Sequence, residues 1–113
     1  MKEIKAFVRS EKADKIVEAM EELGISDITL VDVLGMGEHL VNSGESKYSI
    51  KVVQKYSDIS KLEMVCRAQD VDRILETLRT VAYTGQKGDG IIYVTPVEKV
   101  IKIRTGAVDA EAL

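Results

Sequence analysis

Two heptapeptides constrain this chain more than any other feature. DKIVEAM at 14–20 and DRILETL at 72–78 share an aspartate, a basic residue, two aliphatics and a glutamate in register. Each sits in a helical stripe, with Ala13, Ile16, Val17, Met20 and Leu23 in the first and Val71, Ile74, Leu75, Leu78 and Ala82 in the second. A segment of period two precedes each helix. Lys2–Arg9 puts Ile4, Ala6 and Val8 on one face and Glu3, Lys5, Phe7 and Arg9 on the other, and Leu62, Met64 and Cys66 alternate with Glu63, Val65 and Arg67. Two further β-rich runs, Ile28–Leu34 and Ile91–Thr95, complete the order β-α-β-β-α-β. The echo has two readings: duplication of one βαβ unit, or the shared demands of two amphipathic helices.

This order is the split βαβ pattern of ferredoxin-like α+β folds. Right-handed crossovers place both helices on one face of a four-stranded antiparallel sheet. Pro96 breaks the chain after the fourth strand, and an additional strand is expected near Lys99–Arg104. Ser10 and Asp70 are candidate helix N-caps, and Gly24 and Gly85 are candidate stops. The polar stretch from Glu38 to Ser60 shows no period and reads as a long exposed loop, with a strand-like arm at Ile50–Val53. The tail TGAVDAEAL reads as loosely held. With 113 residues, the chain is the size of one domain, 1–113. Phe7, Val31, Val33, Val65 and Val94 are expected on the sheet face away from the helices. A single layer with apolar residues on both faces needs a partner, so a symmetric homo-oligomer is expected.

Composition excludes several functions. A net charge of −3 argues against a general nucleic-acid binder. No segment is long enough to span a bilayer, and MKEIKAFVRS lacks the apolar core of a signal peptide. The single cysteine, Cys66, excludes an internal disulfide and fits a cytoplasmic location.

The chemistry concentrates in TGQKGDG, Thr84–Gly90, where three glycines fall within six residues. Gly85 is accounted for as a helix stop. Gly88 and Gly90 around Asp89 have two readings: a nest of amides facing an anion, or a tight turn followed by a bulge that opens the strand. The segment lacks the GK[ST] ending of a Walker A loop. On an extended segment Lys102 and Arg104 point the same way, which suits a clamp on phosphates or a charged guard on an edge strand. Gly35 and Gly37 allow another close backbone approach, or mark a plain strand exit.

At TGQKGDGIIYV, with VIKIRTG after it, the chain resembles the PII nitrogen-regulatory signal-transduction proteins. LGMG at 34–37 and KLEMV at 61–65 extend the likeness, which covers nearly everything except about residues 38–60. The resemblance implies a homotrimer that binds ATP or ADP in the clefts between subunits and is not a conventional enzyme, so no catalytic residue and no protein-held metal are expected. It places Thr29, Glu63 and Val65 near the adenine. It sets Gly35, Met36, Gly37 and Glu38 beside the phosphates, at the entry to a mobile T-loop of about 37–58. Thr84, Gly88, Asp89 and Gly90 fall in the phosphate-cradling B-loop, 84–91. Lys102 and Arg104 are its late basic pair, in a C-terminal segment of 102–113.

Three departures qualify what is carried over. Ile91 replaces a lysine that touches the phosphates, so ADP or AMP is expected to compete well with ATP. His39 replaces a glutamine that helps hold Mg²⁺ and 2-oxoglutarate, which leaves both ligands open. The Arg-Gly-x-Glu-Tyr modification patch is absent. Lys47, Tyr48 and Lys51 are the candidate partner contacts of the T-loop. The expected partner is a membrane transporter or a metabolic enzyme, reached from the cytoplasm. Two rivals are a small nucleotide-acting enzyme and a metal- or other small-molecule-responsive trimer using His39 and Cys66.

Overall fold

The computed structural model describes residues 1–25, 27–33 and 59–113, and the elements follow the expected order. They are β1 (Lys2–Arg9), α1 (Ala13–Glu22), β2 (Thr29–Val33), β3 (Ile59–Cys66), α2 (Val71–Ala82) and β4 (Ile91–Pro96). The strands form one antiparallel four-stranded sheet in the order β2-β3-β1-β4. The fold is α+β and ferredoxin-like. Among the described residues no helix is long and apolar enough to cross a membrane.

The period-two pattern of β1 works as expected. Ile4, Ala6 and Val8 are buried and meet Met64, Leu62 and Ser60 across β3. Ile16 and Met20 of α1 and Ile74 and Leu78 of α2 close over them, each at most 1 % exposed. The β4 register changes one expectation. Val94 pairs with Ile4 and packs against the helix-side core, so it is Ile91, Tyr93 and Thr95 that share the far face. On that face Phe7 stacks with Tyr93 at 6.2 Å between ring centroids. Between the apolar residues of the two edges runs an ion-pair chain: Glu3–Lys5 at 3.6 Å, Lys5–Glu63 at 4.0 Å and Lys61–Glu63 at 3.1 Å.

The helix ends depart from the cap predictions, with one exception. α1 closes on Gly24 at φ +83°. Gly24 N–H donates to Glu21 C=O and Ile25 N–H reaches back to Met20 C=O, both at 2.9 Å, which is a Schellman ending. Neither Ser10 nor Asp70 caps. Each helix is entered through a three-residue 3-10 turn, Ser10–Lys12 or Ala68–Asp70, with no side-chain cap bond. Lys12 and Asp70, the residues just before the helices, have the same backbone angles, φ −93° and ψ −10°. The echo is therefore a repeat of geometry as well as of residue type. Asp70 pairs with Arg73 at 3.0 Å instead of capping. Ser10 joins buried Ser60 at 2.7 Å, and Ser60 donates on to Asp32 at 3.2 Å.

Other differences come from tertiary contacts. β3 begins at Ile59, taking Ile59 and Ser60 from the expected loop, because they pair with Val33 and Asp32 of β2, as the next residue Lys61 pairs with Val31. No strand joins the sheet after Pro96. Residues 100–109 instead fold back on themselves through a single bridge, Ile101 with Val108. Lys102 N–H donates to Ala107 C=O at 2.9 Å across this hairpin. The tail is docked: Asp109–Ala112 forms a 3-10 turn, Ala112 is buried, and Arg67 donates to Ala110 C=O at 3.2 Å.

Candidate functional site

The loop after α2 is built around one carboxylate. The helix ends at Ala82 and Tyr83 is already extended, at φ −69° and ψ 130°, so Gly85 is not its stop. Gly85, Gly88 and Gly90 all have positive φ, at +84°, +98° and +96°. Asp89 turns its side chain back into the loop. It accepts from Thr84 N–H at 2.8 Å, from the Thr84 hydroxyl, and from Gly85 N–H at 2.9 Å. Arg9, the last residue of β1, donates from Nε to the same carboxylate at 2.9 Å, and its terminal nitrogen donates to Lys87 C=O at 2.7 Å. The Thr84 hydroxyl and amide, with Arg9 and then Gly85 behind them, hold the Asp89 carboxyl well below the usual carboxylate range. It is an anion at any neutral pH.

This arrangement divides the work of the glycines. Gly90 is required by contact, since a Cβ there would lie 1.7 Å from the Phe7 carbonyl oxygen. Thr84 and Gly85 spend their amides on the internal carboxylate. The backbone N–H groups from Lys87 to Gly90 make no hydrogen bond to a described residue. Among the described residues these groups have no acceptor, whereas the Asp89 side chain is the loop's internal brace.

A second cluster lies at the opposite edge of the sheet. Thr29 and Glu63 are cross-strand neighbours on β2 and β3, and Val65 follows on the same face. With Ile25, Lys102 and Leu113 they line a groove of about 550 Å³. Glu63 is held by Lys61 at 3.1 Å. The hairpin carries Lys102 into this groove, while Arg104 lies exposed in the turn beyond it, so the two cations do not share a strand face. Gly35, Met36, Gly37, Glu38, Lys47, Tyr48 and Lys51, like His39, lie outside the described residues.

The two clusters do not meet within one chain. Thr29 is on edge strand β2 and the glycine loop leads into edge strand β4, three strand spacings apart, or about 14 Å. The structure thus brings together Thr29, Glu63, Val65 and Lys102 at one place, and Thr84, Gly88, Asp89 and Gly90 at another. Sequence reasoning missed Arg9. Its partner Asp89 is 80 residues away, so no local spacing reveals the pair. The echo held the available hint: Arg9 and Arg67 each stand five residues before the shared aspartate, and each pins a distant loop.

Cys66 is buried, and burial above all, with the charge of Asp70 behind it, pushes its thiol pKa up. Among the described residues no group of three His, Cys, Asp or Glu is placed to hold a metal ion.

The comparisons with known proteins agree with this architecture. The family profile described as "Nitrogen regulatory protein P-II" matches residues 1–107. The nitrogen regulatory protein P-II of Azospirillum brasilense is 36% identical over 116 aligned positions, covering 100% of both chains. That of Rhizobium meliloti is 34% identical with the same coverage. Nitrogen regulatory protein P-II 2 of Methanothermobacter thermautotrophicus is 37% identical over 109 positions, covering 94% of this chain and 91% of its own.

Proposed function

This chain belongs to the nitrogen regulatory protein P-II family of signal-transduction regulators, and from that premise we propose that it senses an adenine nucleotide bound between two copies of itself. The observation that carries the reading is the loop closed by Asp89. It leaves the amides of Lys87 to Gly90 without a hydrogen bond to a described acceptor, while the groove that would take a base lies at the far edge of the sheet. A second copy placing its groove beside this loop would make one complete site. Three copies in a ring would close three such sites, and the mixed apolar and ionic far face of the sheet supplies a surface for the contact.

In the complete site the amides of Lys87–Gly90 hold the phosphates as hydrogen-bond donors fixed in advance, and Lys102 adds a charge. Thr29, Glu63 and Val65 flank the base. Ile91, 61% exposed at the loop's exit, adds no charge beside the phosphates, so ADP and AMP compete well with ATP. The nucleotide then shifts the population of states of the segment at 37–58, which in turn engages a transporter or a metabolic enzyme. That shift requires the ligand to bind one state more tightly than the other. The protein acts as a regulator and turns over no substrate.

Calorimetry with ATP, ADP and AMP, each with and without Mg²⁺ and 2-oxoglutarate, tests the reading. At least one nucleotide should bind, and Lys102→Ala should weaken it more than Arg104→Ala, whose side chain lies beyond the groove. A parent protein that binds none of the three overturns the proposal, and steady release of phosphate would replace it with an enzyme.

A further inference from the structure

Arg9 belongs to neither the glycine loop nor the groove. It is the last residue of β1, a central strand of the sheet. Its guanidinium nevertheless makes two bonds into the loop, Nε to Asp89 Oδ1 at 2.9 Å and the terminal nitrogen to Lys87 C=O at 2.7 Å. These two acceptors flank Gly88, whose φ of +98° sets the direction of the neighbouring amides. The base of the arginine is itself held. Ser10, the next residue, bonds to Ser60, which is 2 % exposed and bonds on to Asp32 on β2. The grip on the loop is therefore referred to three strands of the sheet.

A loop of this composition has many backbone states, because three of its residues are glycines. Asp89 alone ties the loop's two ends together through Thr84 and Gly85. It does not fix the middle. A planar guanidinium can, since its fork constrains both direction and distance, where an ammonium supplies a point charge. Two of the guanidinium's five N–H donors are spent inside the protein in this way.

We propose that Arg9 is a positioning residue for the anion-binding loop: it fixes the amides of Lys87–Gly90 by clamping Asp89 and the Lys87 carbonyl, and contributes to affinity without touching the ligand. The inference rests on the reading of this loop as a phosphate site. Its physical basis is preorganisation, in which ordering the loop before binding removes a cost from the binding step.

The test uses the intact protein, with ADP and inorganic pyrophosphate as probes, and measures amide exchange of residues 84–90 in the absence of either. Arg9→Ala should weaken both probes by about tenfold or more, the scale of one lost charge-assisted bond. The loop amides should exchange faster. Arg9→Lys, which keeps the charge and lacks the fork, should recover only part of the loss and guards against a variant that fails to fold. Free guanidinium ion should restore affinity and slow exchange in Arg9→Ala, with no such gain in the parent. In an Asp89→Ala background the Arg9→Ala change should cost little more, because the two residues act as a unit. Full affinity in Arg9→Ala, or full additivity with Asp89→Ala, overturns the proposal. If the parent binds neither probe, the nucleotide reading falls while exchange still decides on Arg9: unchanged exchange refutes the clamp, and faster exchange reversed by guanidinium supports it.

Discussion

Replacing Gly90 with alanine separates two costs that the structure places at one residue. The backbone there has φ +96°, a region that disfavours side chains by about 1–2 kcal/mol. The added methyl would also sit 1.7 Å from the Phe7 carbonyl oxygen and 2.8 Å from its carbon. Both are backbone atoms of a central strand, so no rotamer change relieves the clash. The start of β4 must move away from β1, at a cost of roughly 1–3 kcal/mol on the scale of overpacked sites. The sum is about 2–5 kcal/mol, a large share of the roughly 5–15 kcal/mol that stabilises a typical domain. Gly24 provides the control, since its φ is +83° and a Cβ there meets nothing within 4 Å. Gly24→Ala should show the conformational cost alone. Urea unfolding at one fixed protein concentration, which holds any effect of self-association constant, should place Gly90→Ala below Gly24→Ala by about 1–3 kcal/mol. Equal stability of the two variants would refute the close approach of Gly90 to β1.

Acidification should expose the role of Asp89. Its folded-state pKa lies below that of the unfolded chain, so its contribution is complete above about pH 4 and is lost as pH falls further. Asp89→Asn should be less stable than the parent at pH 7 and show a flatter acid limb, read by thermal melts across pH. Ser60→Ala removes the hydroxyl between Ser10 and Asp32 and should cost about 1 kcal/mol in urea unfolding. Leu78→Ala, at a fully buried position of α2, should cost about 2–5 kcal/mol by the same measurement. Cys66 should resist alkylation in the folded protein and react promptly in denaturant, as mass spectrometry would show.

What could be read without coordinates was what repeats at short range. Ile4, Ala6 and Val8 recur every second residue, and Ile74 and Leu78 recur at one turn of a helix, so strands, helices and most of the core followed from burial periodicity. Gly24 was legible as a stop because its ending is made by adjacent amides. Ser10 and Asp70 were not, because a hydroxyl or carboxylate placed to cap can take another partner, here the distant Ser60 for one and Arg73, one turn on, for the other. Val94 was assigned to the wrong face for a related reason: a strand's own alternation does not say which face meets the helices until its register with Ile4 is known. The basic pair at 102 and 104 depended on an extended backbone. The hairpin closed by Ile101 and Val108 undoes that premise and leaves only Lys102 in the groove. The glycine cluster was legible as a place of chemistry. The inward turn of Asp89 onto Thr84 and Gly85 was not, and the bond it accepts from Arg9 spans 80 residues that only the fold brings together.

The claim on which the account depends is that a loop from one copy and a groove from another form each nucleotide site. Two exposed charge reversals divide those halves: Lys87→Glu spoils the loop and Lys102→Glu spoils the groove. Neither variant alone should bind ADP. In a ring of three that contains both, a single junction joins an intact loop to an intact groove, so co-refolded mixtures should regain one site per mixed ring by calorimetry. A mixture that binds no ADP, although the parent binds it and the mixed ring assembles, would contradict the shared site and place loop and groove in separate functions.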